Sequence, residues 1–247
     1  PLEDLEKQGW EVTYVDVDKD GIVKAKDIIE AIRPDTVLVS VMYANNEIGS
    51  VQPINEIGRK ILQYRKKQNT VYPYFHTDAC QAAGFFDLNV ERSHVDLMTI
   101  NGSKIYGPKG VGMLYLRQGV KIKPIVTGGF QEKKLRAGTE NVPGIVGLAK
   151  AFELAQKNRY KETARLSELV NYLWDKLQTD IPNVLINGPK PQNTDCEEAK
   201  RRRLPNNLNV TFMNIEGEAM LLYLDEYGIM CSTGSACTSD SLDPSHV

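Results

Sequence analysis

The 247-residue sequence lacks any apolar stretch approaching the roughly 20 residues that a membrane-spanning helix requires. Its opening shows no signal-peptide pattern. Neither sign of charge is in excess. Thirty Lys and Arg against thirty-two Asp and Glu leave a net charge of -2, so no global field draws in nucleic acid or an anionic membrane, and neither is expected as a direct partner. Cysteine is scarce. None of Cys80, Cys196, Cys231 and Cys237 belongs to a C-x-x-C pair, and Cys231 and Cys237 lack zinc-finger spacing. Four cysteines in so long a chain do not build a disulfide scaffold, so reduced thiols in a cytoplasmic protein are expected. Repeats and low-complexity tracts are missing. The one basic run, Lys200 to Arg203, reads as a solvated loop. The chain opens at Pro1 in what reads as the tail of a helix and stops in mid-pattern after Ser245-His246-Val247, so a fragment of a longer protein is expected.

What is present is an alternation of short β-branched runs with helical patterns. Strands are expected at residues 11–15, 36–42, 71–78, 96–100 and 111–116, with helices at 25–32 and 53–65 between them. The run at 36–42 is almost unbroken in its apolarity, the pattern of a strand buried on both faces. Strands interleaved with helices imply right-handed crossovers and a largely parallel sheet, an α/β class. From Val142 to about Leu177 the pattern is long and helical. Strands near 184–186 and 207–212 and a helix at 217–227 then suggest a smaller α+β unit. The expected division is 1–157 for the large domain and 158–247 for the small one.

In open α/β sheets ligands bind outside the carboxyl ends of the strands. Polar clusters fall at those points: Asn45-Asn46-Glu47, His76-Thr77-Asp78-Ala79-Cys80-Gln81, and Asn101-Gly102-Ser103-Lys104. Asp78 and Lys104, 26 residues apart, sit on two expected strand ends. Pyridoxal phosphate needs such a pair, a lysine amine for its aldehyde and a carboxylate that keeps its ring nitrogen protonated. Spacing alone leaves plainer readings open, since an Asp at a strand end is commonly a helix cap and a lone Lys is commonly solvated. His76 could line the site or be a satisfied core histidine, and His94 reads as a surface loop residue. Cys80 and Cys231 read as small buried hydrophobes, while Cys196 has no motif around it. Gly102 and Gly107 mimic a Walker A spacing, but Pro108 stands where that loop needs lysine.

Five segments together resemble the group I cysteine desulfurases, the IscS/NifS type. They are Asn45-Asn46-Glu47-Ile48-Gly49, Asp78-Ala79-Cys80-Gln81, Asn101 through Gly110, Leu135-Arg136-Ala137-Gly138-Thr139, and Ser232 through Ser239. They occur in the family's order and cover nearly the whole chain. The resemblance implies the type I pyridoxal-phosphate transferase fold, with pyridoxal 5'-phosphate as cofactor and L-cysteine as substrate. It implies that Lys104 bonds the cofactor, Asp78 faces its ring nitrogen, and Asn46 and Gln81 contact its ring hydroxyl and nearby substrate atoms. Thr139 would reach the cofactor phosphate of a neighbouring subunit in a homodimer. Cys237 would take the sulfur as a persulfide, releasing alanine, and pass it to an iron–sulfur scaffold or tRNA-thiolation protein. No resident metal is implied, with Cys237 at most a transient iron–sulfur ligand. The small and polar neighbours of Cys237 suit a thiolate that must meet two partners.

The match also departs from the family. Asn101 and Ser103 stand where a serine and a histidine usually contact the phosphate, though both can donate hydrogen bonds. A third glycine is usual after Gly128-Gly129. The family's phosphate turn, its ring-stacking histidine and its substrate-binding arginine have no counterpart in these residues, so this fragment alone is expected to be inactive. Two other readings stay open, another type I pyridoxal-phosphate enzyme (an aminotransferase or selenocysteine lyase) and a truncated, non-catalytic scaffold.

Overall fold

A 15-residue helix, α3 (Ile54–Gln68), shows how the core is set. Ile54, Ile57 and Ile61, on one helical face, are all at most 1% exposed in the computed structural model, which describes residues 2–193, 197–234 and 247. On that face Gly58 admits the neighbouring short helix so closely that a Cβ would stand 1.9 Å from the Ser93 carbonyl oxygen.

The preceding elements are α1 (Leu2–Lys7), α2 (Ala25–Ala31) and β1 (Leu38–Met42). After α3 come β2 (Tyr74–Asp78), α4 (Val90–Ser93), β3 (Leu97–Asn101) and β4 (Gly112–Leu116). The four strands make one sheet in the order β1-β2-β3-β4. Its first two pairings are parallel, with Met42 opposite Asp78 and Asp78 opposite Thr99, and β4 closes the sheet antiparallel to β3. The largely parallel α/β expectation is therefore met.

Among the described residues the helices pack on one face. Phe75, Thr77, Met98 and Ile100 point into the core and are at most 1% exposed, whereas the alternate residues Leu38, Ser40, Met42, His76, Asp78, Thr99 and Asn101 lie on the other, more open face. Here the expectation for 36–42 fails. β1 is not buried on both faces; it alternates exposed and half-buried, and Leu38 and Met42 are each more than 40% exposed. The expected strand at 11–15 does not form either, because β-propensity without a pairing neighbour does not make a strand. That segment runs irregularly, with only Val17 bridging to Val23 just beyond it.

A buried carboxylate fastens the start of the sheet. Asp96, 4% exposed, accepts from the Phe75 amide at 2.7 Å and pairs with the Arg65 guanidinium of α3. Arg117 approaches it at 3.7 Å. Two strands and a helix are thus tied through one acid whose charge is matched, as burial of a carboxylate requires.

The long helix α5 (Val142–Asp180) begins at Asn141, whose side chain accepts from the Gly144 amide at 3.1 Å, with Pro143 in the first turn. A small antiparallel pair, β5 (Val184–Ile186) and β6 (Val210–Phe212), follows, then α6 (Gly217–Glu226). Between them the basic run departs from expectation. Lys200 and Arg202 are exposed, but Arg201 and Arg203 are 6% and 2% exposed. Extended backbone turns alternate side chains opposite ways, and the inward two find acceptors: the Ser167 hydroxyl for Arg201, and the carbonyls of Asn187, Pro189 and Asn207 for Arg203. No helix among the described residues is long and apolar enough to cross a membrane.

Candidate active site

The carboxyl ends of β1, β2 and β3 lie side by side, and the three polar clusters emerge there. His76 sits mid-strand between its neighbours, with Nδ1 2.8 Å from Ser40 Oγ and Nε2 2.9 Å from Thr99 Oγ1. Burial holds its imidazole below the ordinary histidine range, against the opposing pull of Asp78. It is half-buried and lies on the face that carries Asp78, so it belongs to the floor of this region rather than to the core.

Asp78 ends β2 and is exposed. Its Oδ1 accepts from the Cys80 amide at 2.9 Å, which starts the turn carrying Gln81. The far side of that turn is held by α5, where Gln156 Nε2 donates to the carbonyls of Ala83 and Phe86 at 2.8 and 2.9 Å.

Lys104 lies in a short 3₁₀ turn, Gly102–Ile105, directly after β3. Glycine at 102 and 107 lets this turn fold tightly. The Gly107 amide bonds the Gly102 carbonyl at 2.9 Å, and a Cβ at Gly102 would meet two carbonyl oxygens at 3.0 Å. Leu148 of α5 packs on the same glycine. The lysine amine therefore stands on a rigid base while remaining exposed.

Cys80 shows that these pieces converge. Its thiol is pushed up to about 12, first by burial and then by the hydrogen bond and charge of Asp78, while the Lys104 ammonium pulls the other way. One sulfur thus feels both the carboxylate and the amine. Among the described residues neither Asp78 nor Lys104 has an ion-pair partner. An unpaired acid and an unpaired amine on adjacent strand ends are the donor set that a pyridine ring with an aldehyde requires, and the residues present fit it.

Asn101 and Ser103, expected near a phosphate, are turned towards each other. Asn101 Oδ1 accepts both the Ser103 amide and its hydroxyl at 2.9 Å. The Asn101 amide N–H₂ therefore remains the more available donor of the two residues. Asn46 and Gln81 are exposed and half-buried respectively at the same sheet edge. Thr139 is exposed beyond a 3₁₀ turn at Gln131–Lys134, and among the described residues no hydrogen bond joins it to the other candidates. Cys237 and Cys196 lie outside the described residues. Cys231, expected to be buried, is exposed, and Cys80 is only partly covered.

Thiol reactivity should separate these cysteines. With Cys80 near 12, only about one molecule in 10⁴ carries its thiolate at pH 8. Iodoacetamide at that pH, read by peptide mapping, is expected to label Cys231 about 100-fold or more faster than Cys80. Equal rates would mean that Asp78 and burial do not act on the Cys80 sulfur.

The anchors around Asn46 could not be anticipated from the motifs. They are Asn207, Asn209 and Arg203, and their one signal was the pair of asparagines, Asn207 and Asn209, within the strand expected at 207–212.

The family model described as Aminotransferase class-V matches residues 1–247. The chain belongs to that family. It is 51% identical over 243 residues to a cysteine desulfurase IscS of Clostridium botulinum, covering 98% of this chain and 57% of the relative. A solved structure of a NifS-like protein superposes with a TM-score of 0.82 at 38% identity, covering 94% of this chain and 59% of the other. Another, of SspA in complex with cysteine, gives 0.75 at 32% identity over 99% of this chain and 63% of its own length. The fold class is thus that of the NifS-like, type I pyridoxal-phosphate enzymes, and the chain spans somewhat more than half the length of the curated relatives it matches.

Proposed function

We propose that the complete protein is a pyridoxal-phosphate-dependent cysteine desulfurase that moves sulfur from L-cysteine to Cys237 and releases alanine. The observation that carries this reading is that Asp78 and Lys104 stand at the carboxyl ends of the adjacent strands β2 and β3, each without a counter-ion among the described residues. The relatives' names, and the cysteine complex of the similar SspA, point the same way.

When bound, pyridoxal phosphate supplies an aldehyde for amine chemistry and an electron-withdrawing ring. In this chain the Lys104 amine would hold that aldehyde and, once freed, carry protons to and from the substrate carbon. The Asp78 carboxylate would keep a proton on the ring nitrogen, its charge favouring the cationic form. Asn46 and Gln81 would orient the ring hydroxyl side, and the Asn101 amide would face the phosphate with Ser103. The Cys237 thiolate would attack the substrate sulfur. The carbon–sulfur bond breaks, its electron pair stays with the alanine portion and is protonated, and the sulfur stays on Cys237 as a persulfide.

The remaining features belong to the same reading. Residues 1–157 form part of a large cofactor domain and 158–247 part of a small one. Thr139 serves the phosphate of a second subunit in a homodimer. The persulfide goes to an iron–sulfur scaffold or tRNA-thiolation protein in the cytoplasm.

Borohydride reduction of the complete protein with pyridoxal phosphate, followed by peptide mapping, tests the central bond. The label is expected on Lys104 and to be lost in Lys104→Ala. A stable label on any other lysine, or none, would refute the reading in favour of a scaffold that has lost its cofactor site.

A further inference from the structure

The loop that bears Asn46 is rigid within itself. Asn45 Oδ1 accepts from the Glu47 and Ile48 amides at 2.8 and 3.0 Å, and the Asn45 amide bonds the Ser50 carbonyl at 2.8 Å. A unit closed in this way can still tilt as a whole on the end of β1. Its Gly49 end is tied by the Leu204 amide, 2.8 Å from the Gly49 carbonyl, and the Asn46-Glu47 end is held from equally far along the chain by two side chains. Asn207 Nδ2 donates to the Glu47 carbonyl at 2.8 Å and to the Asn46 carbonyl at 3.3 Å. Asn209 Nδ2 reaches the Glu47 carbonyl at 3.2 Å.

The fit is close. A Cβ at Gly49 would stand 2.6 Å from Asn207 Oδ1, and Gly49 also has a φ of +72°, so glycine serves both turn and contact. Asn207 is itself clamped. The buried Arg203 donates through its guanidinium to Asn207 Oδ1 at 2.9 Å and through Nε to the Asn207 carbonyl at 2.9 Å. Among the described residues no carboxylate neutralises Arg203. Its charge therefore falls on neutral acceptors. A cation on an amide oxygen polarises that amide and strengthens its N–H donors, here the ones aimed at residues 46 and 47.

We infer that Asn207, clamped by Arg203, is a positioning residue that sets Asn46 against the cofactor and so ties the β5–β6 unit to the site. This rests on the reading of Asn46 as a cofactor contact. Asn207→Asp separates it from a packing role. The variant has the same shape and still accepts from Arg203, but it cannot donate to the carbonyls of Asn46 and Glu47.

In the complete protein, the dissociation constant for pyridoxal phosphate is expected to rise about tenfold in Asn207→Asp, the size of one hydrogen bond, with the urea midpoint nearly unchanged. In an Asn46→Ala background the same substitution should add nothing, since the two act as one unit. Wild-type affinity in Asn207→Asp, an equal loss in both backgrounds, or collapse of the fold would overturn the inference. Failure of the unaltered protein to bind pyridoxal phosphate would overturn the functional reading itself, and this inference with it.

Discussion

Cys237→Ala in the complete protein is expected to leave pyridoxal phosphate on Lys104 while cysteine-dependent sulfide release falls by on the order of 10³-fold or more, the scale lost when a covalent nucleophile is removed. The two halves of that result come from different chemistry. In the proposed reading the cofactor is held by Lys104 and Asp78, which stand at the ends of adjacent strands, while Cys237 acts only on the substrate sulfur. The carbon–sulfur bond breaks only if something accepts the sulfur. A thiolate is the strong nucleophile available near neutral pH, and an alanine methyl has no lone pair to offer. Cys237→Ser should fare little better, because a hydroxyl stays protonated there. Mass spectrometry of the protein after incubation with cysteine, looking for one added sulfur on the Cys237 peptide, checks the step directly. Alanine formation at an undiminished rate in Cys237→Ala, with no added sulfur, would favour a pyridoxal-phosphate enzyme of another kind.

Arg203→Met should destabilise the protein by about 3 kcal/mol although it removes an unneutralised buried cation. Two effects oppose each other. Burial pulls the Arg203 side chain down to about 10, because the interior disfavours its charge, and the substitution relieves that cost. Against this, four oxygens lose their donor. They belong to the carbonyls of Asn187, Pro189 and Asn207 and to the Asn207 side chain, at 2.6 to 2.9 Å. Each buried acceptor left bare costs about 1–3 kcal/mol, so four outweigh the relief. Arg203→Lys should not rescue, since one ammonium cannot reproduce the planar fork that serves four acceptors. A urea midpoint equal to that of the unaltered protein for Arg203→Met would show that water takes over those oxygens.

Much of the candidate site's placement was legible in residues 45–49, 78–81 and 101–110, because a strand end followed by polar groups looks the same in sequence and in space. What the motifs could not convey was distance along the chain. Asn207 acts on a loop about 160 residues earlier, and nothing local marks it except polar side chains where a strand should have apolar ones. The basic run was misread for a related reason. Charge counting takes four cations as one solvated cluster, while the backbone from Arg201 onwards is extended and sends Arg201 and Arg203 inwards and Arg202 outwards. Residues 11–15 and β1 show the limit from the other side. Apolar, β-branched residues announce a surface that is to be covered, but not whether the cover lies in the same stretch of chain.

That limit has a practical side. β1 ends the four-stranded sheet, and Val37, Leu38 and Met42 are each more than 40% exposed along it. A terminal strand offers unsatisfied peptide groups beside sticky side chains, the template on which stray polypeptide zips into ordered aggregates. Recombinant material limited to these 247 residues would have to be handled dilute and cold, and a charged replacement at Leu38 would be the first remedy against precipitation.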